Sequence, residues 1–117
     1  MCEENGTIDI WGPGTQTRSF LYIDECLEGI HKLMASDYNQ PLNLGSDRMI
    51  TINDLARLVA NIADKNVNIQ NVAGPMGVMG RNSDNVLIEK VLRWKPQNNL
   101  EYGISETYNW IKNKCLN

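Results

Sequence analysis

The stretch from Thr51 to Ile62 constrains this chain more than any other, because it reads as a helix from both its start and its period. Thr51 offers a side-chain oxygen to the free amides of a first turn, and Asp54 stands three residues on, a variant of the capping box. Leu55, Leu58, Val59 and Ile62 then recur at i, i+3, i+4 and i+7, which sets them on one stripe. A helix with one apolar stripe has to bury it, so the flanking segments must supply a surface.

The flanks read as short strands and further helices. Thr7 to Trp11 alternates apolar and polar residues, as a half-buried strand does, and Gly12-Pro13-Gly14 ends it. The apolar run Ser19 to Ile23 predicts a second strand. Asp24 is expected to cap a helix with Leu27, Ile30, Leu33 and Met34 on one face and a Glu28–Lys32 pair on the other. Pro41 to Gly45 predicts a short strand, and Val67 to Val72 another. Gly74 to Gly80 is a loop by composition. Asn82, Ser83 or Asp84 is expected to cap a helix carrying Val86, Leu87, Val91 and Leu92, which stops before Pro96 because proline cannot continue it. Leu100 to Lys112 predicts a last amphipathic helix, with Ile104, Tyr108 and Ile111 on one face. The alternation predicts an α/β class: a small mixed domain of short strands and about four helices, a single domain over residues 1–117.

Composition removes several function classes. Apolar residues make up 42% and charged residues 21% of the 117 positions, an ordinary globular balance. Eleven basic against 14 acidic residues give a net charge of -3, which argues against nucleic acid as a partner. No apolar run approaches the ~20 residues of a membrane span. Met1 to Thr7 is polar and acidic, unlike a secretory or transit leader, so a cytoplasmic location is the expectation. Cys2, Cys26 and Cys115 form no close pair and His31 stands alone, so neither a disulfide framework nor a metal site is expected.

Three patterns imitate known chemistry. Gly74-x-x-Gly77-x-x-Gly80 has dinucleotide-turn spacing, but it lies late in the chain, holds Pro75, and precedes no second βα unit with an acidic ribose ligand. Gly12-Pro13-Gly14 lacks the Gly-Lys-Ser/Thr of a phosphate loop. Tyr108-x-x-x-Lys112 has the spacing of a tyrosine–lysine catalytic pair, but it sits in the last helix and reads as an aromatic packing residue beside a surface lysine. More informative are Arg18 and Arg81. Each stands at a loop end, where a scaffold presents side chains, and arginine's planar fork suits phosphate oxygens. The helix start expected at residues 83–85 would add free amides beside Arg81.

Four blocks carry a resemblance: Trp11 to Cys26 (WGPGTQTRSFLYIDEC), Pro41 to Ser46 (PLNLGS), Gly80 to Asn85 (GRNSDN) and Trp94-Lys95-Pro96. In order and spacing they resemble the extended short-chain dehydrogenase/reductase family of sugar-nucleotide epimerases and dehydratases, over about Thr7 to Lys112. The wording of QTRSF and GRNSDN is similar to members that act on GDP-mannose.

The resemblance implies a mechanism and a division of labour. Bound NAD oxidises the hexose at C4, the ketone acidifies C5 and C3 so that both can be deprotonated and reprotonated, and the ketone is then reduced back. The nucleotide is the handle whose binding energy positions the sugar. The resemblance assigns Gln16, Thr17 and Arg18 to contact with a GDP-sugar and Arg81 to its diphosphate, with Trp11 near the nucleoside. It places the NAD-binding domain and the catalytic residues upstream, so no catalytic, cofactor or metal residue is expected here. Met79 stands where the family has a basic residue. The expected role is that of the nucleotide-sugar-binding portion of an NAD-dependent epimerase, inactive alone. The alternatives are a stand-alone interaction module or a subunit completing an epimerase in trans. An uncovered apolar face would make a homodimer or an amino-terminal partner chain plausible.

Overall fold

A computed structural model describes residues 6–116. In chain order the elements are β1 (Thr7–Trp11), β2 (Thr17–Ser19), α1 (Ile23–Met34), β3 (Met49–Thr51), α2 (Ile52–Ile62), β4 (Asn68–Val72), α3 (Val86–Leu92) and α4 (Leu100–Cys115). The expected mixed α/β class with four helices is the one found.

Two small sheets result. β1 and β4 pair in parallel, from Thr7 opposite Asn68 to Trp11 opposite Val72. β2 and β3 pair antiparallel, with Arg18 opposite Ile50. The expected helix after Thr51 forms, and the Thr51 side chain accepts the Asp54 amide at 3.1 Å. Its stripe packs against β1, β3 and α4, and the packed centre holds Ile10, Ala60 and Ile88, all buried.

Glu25 ties α1 to the rest. Its buried carboxylate accepts the amides of Gln97 and Asn98, the latter at 2.7 Å, and so fixes the connection between α3 and α4. Gly29 lets the helix approach closely, because a Cβ there would fall 2.7 Å from Leu44 and 2.9 Å from Trp94. Across the junction of α1 and α4, Tyr22 meets Tyr102 edge to face with ring centroids 5.8 Å apart. Arg48 forms a two-pronged ion pair with Glu101 on α4, both contacts 2.7 Å.

Four local expectations need correction. The run Ser19 to Ile23 is not a strand: β2 covers Thr17–Ser19, and Ile23 already begins α1. A short apolar run lacks the length to separate strand from helix entry. Asp24 does not cap α1; Tyr22 is the N-cap, without a side-chain bond, and Asp24 lies in the first turn. The helix after Ser83 begins at Val86 with Asn85 as N-cap, although the Asp84 carboxylate still accepts the Val86 amide at 3.0 Å. Pro41 to Gly45 forms no strand pairing among the described residues. The expected Glu28–Lys32 pair does form, at 3.9 Å, and Cys2 lies outside the described residues.

The packing is open. The radius of gyration is 16.7 Å, against about 13 Å for a compact domain of this length. On α1, Ile23, Leu27, Ile30 and Met34 are exposed although their spacing marks an apolar stripe. No helix among the described residues is long and apolar enough to cross a membrane.

Candidate functional site

The site begins with two loop ends that are far apart in sequence. Arg18 lies in β2, one residue beyond Thr17, and Arg81 follows Gly80. The Thr17 amide donates to the Met79 carbonyl at 2.8 Å, and Thr17 and Gly80 form an isolated parallel bridge. Gly80 has to be small, since a Cβ there would fall 2.9 Å from the Thr17 hydroxyl. This bridge carries both arginines to the rim of one cavity of about 370 Å³.

Asn43 to Ser46 and Asn82 and Ser83 form the other walls, with Ser19 and Leu21 behind Arg18. None of the lining residues is acidic. The Arg18 Nη1 donates to its own neighbour's carbonyl at Thr17, 2.7 Å away, which fixes the side chain and leaves other donors free. Arg81 is exposed and has no hydrogen bond or ion pair among the described residues. By contrast Lys32, Arg48, Arg57 and Lys95 are each paired with a carboxylate. Two guanidinium groups thus line a hollow that carries no carboxylate, and planar guanidinium forks suit phosphate oxygens.

The neighbouring hollows differ. One of about 520 Å³ shares Asn82 and Ser83 but carries Asp47, Asp84 and Glu89 against the single base Lys95, which is paired with Glu89, so its lining is net acidic. Another of about 460 Å³, between α2, α4 and the start of α1, is walled by apolar residues such as Leu55, Ile104 and Ile111 and has no basic side chain. Tyr108 lines that apolar groove.

Not all expected residues meet in the arginine cavity. Gln16 and Thr17 do not line it. Gln16 is buried, its amide nitrogen donating to the Trp11 carbonyl at 3.2 Å, while its Oε1 has no hydrogen-bond partner among the described residues. Thr17 acts through its backbone. Trp11 is 59% exposed at the end of β1 and packs beside Gly74. Sequence reasoning missed Asn43, Ser46 and Ser83 as wall residues; the glycine before Ser46 was the available signal, because Gly45 lies against Ser83.

The glycine-spaced loop does not fit a dinucleotide. A pyrophosphate turn leads directly into a helix whose amides face the phosphates. Here the chain leaves Gly80 through an irregular stretch, and the helix it reaches, α3, is seven residues long. Met76, Val78 and Met79 are exposed along the loop.

Comparison with known proteins places the chain. No family model matches it. It is 47% identical over 104 residues to GDP-mannose 3,5-epimerase 1 of Oryza sativa, covering 89% of this chain and 28% of that protein. It is 36% identical over 93 residues to UDP-glucuronic acid decarboxylase 6 of Arabidopsis thaliana. The chain therefore spans a little over a quarter of the length of these relatives. Among solved structures, UDP-glucose 4-epimerase of Thermotoga maritima superposes with a TM-score of 0.87 at 24% identity, covering 93% of this chain and 36% of that one. UDP-glucuronic acid 4-epimerase of Bacillus cereus, solved with NAD and UDP-glucuronic acid, gives 0.83 at 26%, covering 92% and 36%. In sequence and in fold, then, the chain belongs with the extended short-chain dehydrogenase/reductase epimerases, as a stretch similar to the carboxy-terminal part of GDP-mannose 3,5-epimerase.

Proposed function

We propose that this chain is the nucleotide-sugar-binding portion of an NAD-dependent sugar-nucleotide epimerase, that its ligand is a GDP-mannose-like molecule, and that it does not turn that ligand over alone. The observation that carries the reading is the pairing of Arg18 and Arg81 on one carboxylate-free cavity. A nucleoside diphosphate presents adjacent phosphates, and two arginine forks can grip both. The guanine assignment rests on the 47% identity to proteins named for GDP-mannose. Gln16 Oε1, buried without a hydrogen-bond partner among the described residues, is an acceptor left for a donor on the ligand or a neighbouring chain.

On this reading the chain binds and orients, while a hydride acceptor works elsewhere. When bound to the rest of such an enzyme, NAD supplies the transient oxidation of the sugar. No residue here is assigned to that step, because the glycine loop lacks the geometry to hold a dinucleotide.

Isothermal titration at low salt tests the proposal, with GDP, GDP-mannose and UDP-glucose as ligands. We expect the two guanine ligands to bind and UDP-glucose to bind more weakly. Arg18→Ala and Arg81→Ala should each reduce affinity about tenfold or more, the loss of roughly 1.4 kcal/mol that one charge-assisted hydrogen bond represents. Unchanged affinity in Arg81→Ala would remove the diphosphate assignment, and equal binding of UDP-glucose would remove the guanine one.

A further inference from the structure

The turn between β1 and β2 is held from outside by two asparagines. Gly12 and Gly14 take positive φ values of 76° and 70°, and the carbonyls of Gly12, Pro13 and Gly14 each take a donor from another element. The Asn71 side chain, on β4, donates to the Gly12 carbonyl at 3.1 Å. The Asn53 side chain, in the first turn of α2, donates to the Pro13 carbonyl at 3.1 Å. The Asn53 amide donates to the Gly14 carbonyl at 3.0 Å, and the Ile52 amide to the Gln16 carbonyl at 3.1 Å. These two amides open α2 and have no partner within the helix. The Asn71 nitrogen also donates to Asn53 Oδ1 at 3.2 Å, which joins the two side chains. Gly14 cannot carry a side chain here, because a Cβ would collide with the Asn53 carboxamide.

Loop 74–80 rests on this turn. The Met76 side chain lies over Gly12, where a Cβ would fall 2.7 Å from its sulfur, and the Trp11 ring lies against Gly74. Farther along, Gly77 faces Arg18, since a Cβ there would stand 3.6 Å from Arg18 Nη2. The loop then leads through Gly80 to Arg81. Backbone bonds at Gly14 and Gln16 secure the end of the turn next to β2. The tip at Gly12 and Pro13 is secured by the two asparagine side chains and by the Gly12 amide, which donates to the Val72 carbonyl at 2.8 Å. Asn71 is exposed and Asn53 half-buried. Water can replace such bonds at little net cost, so their main effect is to select one geometry.

We infer that Asn53 and Asn71 are positioning residues for the arginine cavity: their side chains fix the Gly12–Pro13 tip, the tip seats Met76, and the seated loop sets where Arg18 and Arg81 stand. Neither asparagine lines the cavity, so each acts through the turn and the loop. The two are unequal. The Asn71 donor serves the Gly12 carbonyl and Asn53 Oδ1 together, and so also holds the Asn53 carboxamide with its nitrogen towards Pro13. Loss of the Asn71 donor therefore releases both carbonyls. Loss of the Asn53 donor releases Pro13 alone, because an acceptor for Asn71 remains. The consequence for affinity rests on the proposed nucleotide site, whereas the placement of Arg18 does not.

The test compares Asn71→Asp with Asn53→Asp, which add the same charge at nearly the same volume. A carboxylate at 71 donates nothing, while one at 53 still accepts from Asn71. Two readouts are taken: the Arg18 Nε–Hε signal with the Gly77 and Gly80 amide signals in heteronuclear NMR spectra, and titration with GDP. We expect Asn71→Asp to move those signals and to weaken GDP about tenfold, the effect of one misaligned charge-assisted bond. Asn53→Asp should leave the signals in place and weaken GDP by no more than about twofold. Asn71→Ala, which removes the donor without adding charge, should follow Asn71→Asp, and all three variants should keep their helix content and urea midpoint. Signals that stay in place in both Asn71 variants would overturn the inference, as would equal movement in the two aspartate variants. So would signals that move while GDP affinity holds, or Asn71 variants that unfold, which would make the residue structural. If the unsubstituted chain does not bind GDP, the proposed function fails, and the Arg18 and glycine signals alone decide the positioning.

Discussion

Thr17 and Gly80 are joined by a single parallel bridge, and it is this bridge that turns two separate loop ends into one site. The Thr17 amide reaches the Met79 carbonyl at 2.8 Å, while β3 holds the same residue from its other side through Thr51. Arg18 and Arg81 each follow one member of the bridge, so their separation is set by backbone pairing and not by loop chance.

The bridge predicts a phenotype for Gly80→Ala. The added methyl would lie 2.9 Å from the Thr17 hydroxyl, which is anchored in a short strand and has little room to yield. The loop should shift instead. We expect nucleotide affinity to fall several-fold, with a stability loss of about 1–2 kcal/mol, typical of a small overpacked contact. Titration alongside urea unfolding separates the two effects. Unchanged affinity would mean that the loop position does not matter to the site.

A second prediction concerns the arginine forks. Arg81→Lys keeps the charge and loses the planar pair of donors. If both arginines grip the same ligand, Lys at either position should recover only part of the affinity lost in the alanine variants. The double alanine variant should fall short of the sum of the single losses by about 0.5 kcal/mol or more, the coupling expected of neighbouring groups. Strict additivity would show that they act on separate ions.

What could be read in the sequence followed from whether a signal was local. Thr51 and the Leu55 to Ile62 stripe specify α2 because cap and period both lie within the element. The alternations of β1 and β4 likewise announce their strands. Pro41 to Gly45 has the residues of a strand, but a strand exists only through its partner, which these residues do not contain. The stripe on α1 was legible as apolar, while what it faces was not. Arg18 and Arg81 stood out as loop-end arginines, yet their meeting depends on the Thr17–Gly80 bridge, which no local pattern signals. Asn43 and Ser83 reached the site for the same non-local reason.

Glu25 offers a stability test. Its buried carboxylate serves two backbone amides on the connection between α3 and α4. Glu25→Ala would leave both donors without a partner in a half-buried place. We expect a loss of about 2–3 kcal/mol, as for hydrogen bonds to a charged group, read as a lower urea midpoint with unchanged slope. A loss below about 0.5 kcal/mol, the scale of an ordinary surface change, would mean that α1 is held by apolar contacts alone.

The last prediction is a pH dependence from one exposed pair. Hydrogen bonds from the Arg48 guanidinium, helped by a backbone hydrogen bond, hold the Glu101 carboxyl down to about 2 from its ordinary 4.5. A carboxyl depressed in the folded state binds its proton less readily there than in the unfolded chain. Its contribution is therefore fully present above about 4.5 and is lost as the pH falls from there through about 2. Because both side chains are more than two-fifths exposed, solvent and salt weaken the effect on stability. The sharper observable is the titration itself. In the native protein the Glu101 carboxyl carbon, followed by NMR, should not titrate until well below pH 4. In Arg48→Ala it should titrate in the ordinary carboxylate range, and the stability gap between the two proteins should close towards pH 2. A Glu101 midpoint near 4.5 in the unsubstituted protein would show that the 2.7 Å contacts between segment 46–48 and α4 do not persist in solution.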